Sequence, residues 1–460
     1  MRTLPRTTRH LIRLLAFVFA FAAFGAAPPP AAAPWLFVSD IHLNPIADSS
    51  LVDQLAKTAV EDWDVNVFDK AGSPADLSPR GQDTNPALFR LTLLNMSAQA
   101  PEPAVVIIPG DFLVHQFRDK WDAAKPSPAA GTFADFALKT IRYMKYEFAK
   151  TFPKAQFVIA LGNNDSVAGD YNFARNSQFR KDFARIWEPL VNPHGQAPDF
   201  ASGFYELGDY RATLPNGTVV IVVNSNVWSP CTPENLANPS GGPLAQDVMT
   251  SYTNSVAGSS TGATTWVLLH IPPGIDAYAA QHAPGETGCN YGYGTAVPFY
   301  AGNLATRFGA VRAKDGQPPA LIIAGHLHND TYRVVGATPL MVVPSISPIH
   351  YNNPAFFIVQ IDPNRGNIAD YTAYSFNYPS ATSANSFALE YDFDRTFMLD
   401  DFSQPSLSKL HDDKDRSASE MKFYDSGAPN PSITDRNRRV YWCANDHLDP
   451  TSFTDCRNRH

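Results

Sequence analysis

The chain has 460 residues, 44% hydrophobic and 17% charged, which is enough to bury a large core and too apolar for a disordered chain. Its formal charge of −8 repels polyanions at long range and argues against an extended nucleic-acid duplex as partner. At the N-terminus Arg2, Arg6, Arg9 and Arg13 precede an apolar run of about 11 residues and then small residues through Ala33. Residues 1–27 therefore read as a signal peptide, with Gly25, Ala27 and Ala33 as candidate cleavage points and an uncleaved anchor as the alternative. The run falls short of the roughly 20 apolar residues that span a bilayer, and no later segment is long and apolar enough to do so. Without those four arginines, 32 basic residues face 44 acidic ones. A secreted or periplasmic location is expected.

Residues 28–34, Pro-Pro-Pro-Ala-Ala-Ala-Pro, read as a tether, and the catalytic domain is expected over 35–375. Its first strand is Trp35–Ser39. Residues 44–86 read as a surface excursion with a helix near 51–60, followed by a helix over 86–97 and a strand over 105–108. Helices are expected over 132–150 and roughly 177–190. Residues 203–207 and 219–224 alternate like antiparallel strands across the turn Pro215-Asn216-Gly217. A loop-rich insertion over 229–263 holds Cys231 and a helix near 243–255. Short strands follow around 331–335, 340–343 and 355–362. Residues 376–460 read as a C-terminal extension packed on the catalytic domain.

Cys231, Cys289, Cys443 and Cys456 are an even set without C-x-x-C spacing, which fits disulfides in an oxidising compartment. Three connectivities are open, and the one made of two local pairings, Cys231–Cys289 and Cys443–Cys456, is favoured.

Polar motifs end several of the apolar, β-branched runs. They read Asp40-Ile41-His42, Gly110-Asp111 with His115 close behind, Gly162-Asn163-Asn164-Asp165, His270, and Gly325-His326-Leu327-His328. Buried strands that end in Asp, Asn or His deliver oxygen and imidazole donors to one edge of a sheet, where α/β proteins keep their sites. Two divalent cations about 3.5–4 Å apart can share one carboxylate and activate water near neutral pH. Asp111, placed directly after Gly110 and a strand, is the natural bridge. Mixed oxygen and nitrogen donors without thiolate suit zinc, manganese or iron. His350 reads as a structural loop histidine that could also reach a pocket. His194, His282, His411, His447 and His460 lack a strand-end context and read as surface residues.

In this order the motifs resemble the calcineurin-like metallophosphoesterase superfamily. Gly110–His115, His270-Ile271-Pro272-Pro273-Gly274 and Asn353-Pro354 resemble its acid-sphingomyelinase-like phosphodiesterase branch. The resemblance covers roughly residues 35–375. It implies an α/β four-layer sandwich of two mixed β-sheets flanked by helices. It also implies one metal on Asp40, His42, Asp111 and His328 and a second on Asp111, Asn163, His270 and His326, with zinc favoured at both. The implied activity is metal-dependent phosphoric ester hydrolysis by in-line attack of metal-activated hydroxide, preferring phosphodiesters or phosphoanhydrides. His115 would protonate the leaving group. Asn164 stands where most relatives have histidine; an amide can hydrogen-bond a phosphoryl oxygen but cannot deliver a proton. A binding protein of the same fold with little turnover is therefore the alternative. Expected substrates are small phosphate esters, nucleotides, polyphosphate or phospholipid headgroups. Only about ten residues separate the leader from the first strand, which leaves no room for the saposin-like module of human-type sphingomyelinases.

Overall fold

A computed structural model of the chain describes residues 33–70, 76–282, 296–363, 365–378, 387–411 and 433–458. The leader, most of the Pro/Ala tether and Cys289 lie outside these residues. Two six-stranded sheets form the centre. The first runs β12 (Ala388–Asp392), β11 (Ile368–Ser375), β10 (Ala355–Ile361), β1 (Trp35–Phe37), β2 (Val105–Ile108), β3 (Gln156–Ile159). The second runs β4 (Tyr210–Thr213), β5 (Val219–Val222), β6 (Thr265–Leu268), β7 (Leu321–Ala324), β9 (Thr338–Val342), β8 (Thr331–Val335). Both sheets are mixed. β1, β2 and β3 are parallel with antiparallel β10–β12 beside them, and β5, β6, β7 and β9 are parallel between antiparallel edges.

The second sheet shows why its strands read as unbroken apolar runs. Val220, Val222, Trp266, Leu268, Leu321 and Ile323 join the core between the sheets. The alternate residues Ile221, Val267, Leu269 and Ile322 join a separate outer core with Leu244, Val248 and Leu304 from helices Pro243–Ala257 and Leu304–Ala310. Period-two alternation thus divides one strand between two cores, and both faces are dry. The sheets meet through the edge-on pair Trp35 and Trp266, with ring centroids 5.4 Å apart. Helices Pro86–Gln99, Phe133–Thr151 and Gln178–Val191 cover the first sheet. The middle one starts at a capping box in which Thr132 and Asp135 satisfy each other's backbone N–H groups. Helices flank both sheets, which makes four layers.

Of residues 203–207, expected as a strand, the first four lie in helix Phe200–Glu206 and Leu207 caps it. Phe200 and Phe204, one turn apart, pack on each other and on Tyr210, and Phe204 also stacks on Phe183. The short segment looks alternating, but its burial follows the helical period. The strand that pairs with β5 comes just after it, at Tyr210–Thr213.

Residues beyond 375 enter the body of the fold. β12 extends the first sheet through β11, and helices Gln404–His411 and Arg438–Ala444 pack near β8. Cys443 and Cys456 are disulfide-bonded, joining Arg438–Ala444 to helix Pro450–Asn458. Cys231 is likewise disulfide-bonded. No described helix is long and apolar enough to cross a membrane.

Candidate metal centre

Five parallel strands, β1, β2 and β3 of one sheet and β6 and β7 of the other, end at the same edge, and each is followed by one of the polar motifs. The loops after β1 and β2 run side by side: the Asp40 N–H donates to Gly110 O (3.1 Å) and the His42 N–H to Asp111 O (2.9 Å). Asp165 ties the next loop to them. Its carboxylate accepts the backbone N–H groups of Gly162, Asp111, Phe112 and Leu113 at 2.8–3.1 Å. Asp40 accepts the His326 N–H on both oxygens at 3.1 Å, which joins the β7 loop from the other sheet. Glycines permit this crowding. A Cβ on Gly325 would meet Asp40 Oδ2 at 2.6 Å, and one on Gly162 would meet Asp111 Cγ at 2.5 Å.

The backbone here is strained. Asp40, His42, Asp111, His326 and His328 have φ of 48°, 44°, 55°, 72° and 55°, in the left-handed region that costs non-glycine residues free energy. Five such residues at one edge are held there by the surrounding hydrogen bonds, and all five aim donor side chains at one place.

His42 Nδ1 donates to Leu113 O (3.0 Å) and His270 Nδ1 to Pro109 O (3.2 Å). Each carbonyl can only accept, so in the neutral rings the Nε2 atoms carry lone pairs. His42 Nε2 lies 3.3 Å from Asp111 Oδ2, 3.8 Å from Asp40 Oδ1 and 3.1 Å from His328 Nε2, and His328 Nε2 is 3.4 Å from Asp40 Oδ1. His270 Nε2 lies 3.3 Å from Asp111 Oδ2 and 2.9 Å from Asn163 Oδ1. Asn163 is oriented by donating its Nδ2 to Asp170 Oδ1 (2.6 Å), which leaves its oxygen facing inward. His326 joins Asp111 and His270 in the second group. Lone pairs and carboxylate oxygens therefore face one another at 2.9–3.8 Å, too close for a water to bridge them, and only positive charge relieves that arrangement. Two metal bonds of about 2.1 Å at 90–110° span about 3.0–3.4 Å between donors, which is the spacing found. Two carboxylates, four imidazoles and one amide oxygen, without thiolate, fit two divalent cations that accept oxygen and nitrogen.

The electrostatics agree. Burial disfavours an imidazolium at His42, yet Asp111, Asp40 and Asp83 outweigh it and push its pKa up to about 9. Burial also penalises charge on Asp111, but His270 and His42 drive its carboxyl well below the usual range. Burial, then His270, holds His326 down at about 3, and burial with His350 holds His328 far below its ordinary value, so both rings keep their lone pairs. Asp40, His42 and His270 are wholly buried and Asp111 is 1% exposed.

The centre opens into a cleft of about 440 Å³. His115 lines it, with its ring stacked on His42 at 3.9 Å and its Nδ1 2.8 Å from Asp83 Oδ1. Asn164 does not line the cleft. Its backbone N–H and its amide Nδ2 donate to Asp111 Oδ1 and Oδ2 at 2.8 and 3.0 Å. His350, read as a loop histidine, does line the cleft and meets the His328 ring edge-on at 4.6 Å. His282, read as a surface residue, is on the cleft wall too. His411, also read as a surface residue, is 2% exposed, because it packs flat on Trp442 beneath Tyr332. No local pattern marks Asp83, which belongs to the irregular 44–86 excursion, or the cleft wall formed by Ile433, Asn437, Tyr441 and Asn445.

No family model matches the chain. It is 22% identical over 392 residues to Sphingomyelinase phosphodiesterase D of Dictyostelium discoideum, covering 80% of each protein. It is 24% identical over 327 residues to Sphingomyelin phosphodiesterase 1 of Caenorhabditis elegans, covering 66% of this chain and 50% of that one. Among solved structures it is similar to a dimetal phosphatase from Danio rerio, at 12% identity and a TM-score of 0.37 over 75% of this chain and 92% of that one. The two mixed sheets flanked by helices, with polar motifs at their strand ends, are the architecture expected from the sequence.

Proposed function

We propose that the chain is an exported phosphodiesterase working with two divalent cations, zinc at both positions. Asp40, His42, Asp111 and His328 hold one cation, and Asp111, Asn163, His270 and His326 hold the other. The observation that carries this reading is the set of ring nitrogens, with their outer N–H groups spent on carbonyls, turned on carboxylate and amide oxygens at 2.9–3.8 Å. When bound, the cations supply Lewis acidity toward the phosphoryl group and activate water for attack on phosphorus.

The chain's own residues do the rest. Asp111 is fixed between His42 and His270 by two donors from Asn164, so Asn164 acts through the bridging carboxylate. Asp83 accepts the His115 Nδ1–H, which leaves Nε2 to carry the mobile proton to the departing oxygen. Stacking on His42 holds the His115 ring at the cleft wall. Export is supported by the basic, then apolar, N-terminal sequence and by the Cys443–Cys456 bond. A diester substrate is supported by the names of the curated relatives.

A binding protein without turnover is the competing reading, favoured by an amide at position 164. Steady hydrolysis of bis-p-nitrophenyl phosphate, abolished by chelator and restored by zinc, supports the enzyme. Tight phosphate-ester binding with no product over many hours overturns it.

A further inference from the structure

Outside the cleft, His411, Asp446 and His447 bring three donor atoms within 4.8 Å of one another. His411 ends helix Gln404–His411, and the other two follow helix Arg438–Ala444. His411 Nε2 is 2.9 Å and His447 Nε2 3.4 Å from Asp446 Oδ1. The two rings stand nearly perpendicular, with centroids 6.1 Å apart. We propose that these three side chains form a third cation site, of the zinc class, that fastens the cleft wall.

A simple Asp–His ion pair would place a ring N–H on the carboxylate oxygen. Asp446 Oδ1 is shielded from water and receives no hydrogen bond, although two ring nitrogens lie within reach. Neither ring directs an N–H at the oxygen, which is the arrangement expected when both lone pairs and the carboxylate point at a common ion. The other nitrogen of His411, Nδ1, faces the Tyr332 hydroxyl at 3.4 Å, a partner of the kind that orients metal-bound imidazoles. Parallel stacking on Trp442 at 4.6 Å fixes the His411 ring. Two imidazoles and one carboxylate are a three-ligand zinc set that leaves a position for water.

Position gives the site its consequence. Helix Arg438–Ala444 carries Tyr441 and Ala444, and with Asn445 they line the cleft. Asn445 is bonded to β8, with its carbonyl accepting the Val334 N–H at 2.9 Å and its side-chain oxygen the Thr331 hydroxyl at 3.1 Å. A cation between His411 and the Asp446-His447 pair would lock this helix to the helix ending at His411, independently of the disulfide. The site stands apart from the catalytic reading, because none of its ligands lines the cleft.

The test is metal content of the full chain, expressed without a histidine tag, equilibrated with zinc and freed of excess by gel filtration. Asp446→Asn, which keeps the shape of the side chain, and His447→Ala are each expected to hold one equivalent less than the unaltered protein. Asp111→Asn is expected to retain one equivalent, and His447→Ala added to it should remove that one. Counting in the Asp111→Asn protein separates this site from the cleft, so the result stands even if the cleft binds nothing. Equal zinc content with and without Asp446→Asn and His447→Ala overturns the proposal and leaves the cluster an ion pair.

Discussion

Gly162→Ala tests whether the bridging carboxylate is held by steric fit. The added methyl carbon would lie 2.0 Å from Asp111 Oδ1, 2.1 Å from the Asp111 backbone nitrogen and 2.5 Å from its Cγ, all below the 3.0 Å that real Cβ contacts respect. Asp111, backbone and side chain together, must therefore retreat by about 1 Å or more. The loop cannot yield instead, because the Gly162 N–H is bonded to Asp165 Oδ2 at 2.8 Å and Asp165 also holds the backbone of Asp111, Phe112 and Leu113. Retreat takes Asp111 away from His42 and His270 together, both now 3.3 Å from its Oδ2. A 1 Å misplacement costs about 10²-fold in rate, whereas overpacking costs about 1–3 kcal/mol of stability. Steady-state hydrolysis, metal analysis and urea unfolding on one preparation read all three quantities. Gly309→Ala, in helix Leu304–Ala310, where an added Cβ meets only Val335 Cγ1 at an ordinary 3.5 Å, is the control. A Gly162→Ala protein with full metal content and a rate within threefold of normal would refute the reasoning.

His115→Ala should cost about 10²–10⁴-fold on an alkyl phosphodiester and much less on a p-nitrophenyl ester, with metal content unchanged; equal losses on both esters remove His115 as the acid. Asp209 supplies a pH test of stability. Burial, only partly offset by the Asn224 N–H, Ser251 and Arg180, raises its pKa to about 7, above the roughly 3.9 of an unfolded aspartate. Between those values the native state keeps a proton that the unfolded state has released, so stability falls as pH rises, by up to a few kcal/mol in order of magnitude. Urea unfolding at pH 5 and pH 8 should show a steeper loss for the unaltered protein than for Asp209→Asn; parallel losses contradict it. Cys443→Ser with Cys456→Ser opens a loop of sequence separation 13 and should lower stability by about 3 kcal/mol, read as a lower melting temperature. An unchanged melting temperature would show that the bond constrains little.

The strand-end motifs were legible because a buried strand ending in a polar residue is a local pattern, and β1, β2, β3, β6 and β7 each supply one. Asp83 was not, since it reaches His115 from an irregular segment 32 residues upstream whose course no periodicity records. The left-handed backbone at Asp40, His42, Asp111, His326 and His328 was hidden too, because nothing in an Asp or a His announces positive φ. Asp165 is part of a recognised motif, but its four backbone partners exist only once the β2 and β3 loops lie together. Residues 203–207 misled because five residues are too few to separate a period of 2 from one of 3.6.

The central claim is that Asp111 bridges two cations, and zinc content of Asp111→Asn beside the unaltered chain tests it most directly. Replacing the shared carboxylate removes the one charge common to both groups of donors while keeping the side chain's shape. The account predicts a loss of two equivalents together with turnover. An Asp111→Asn protein that keeps the same zinc content as the unaltered chain would contradict it.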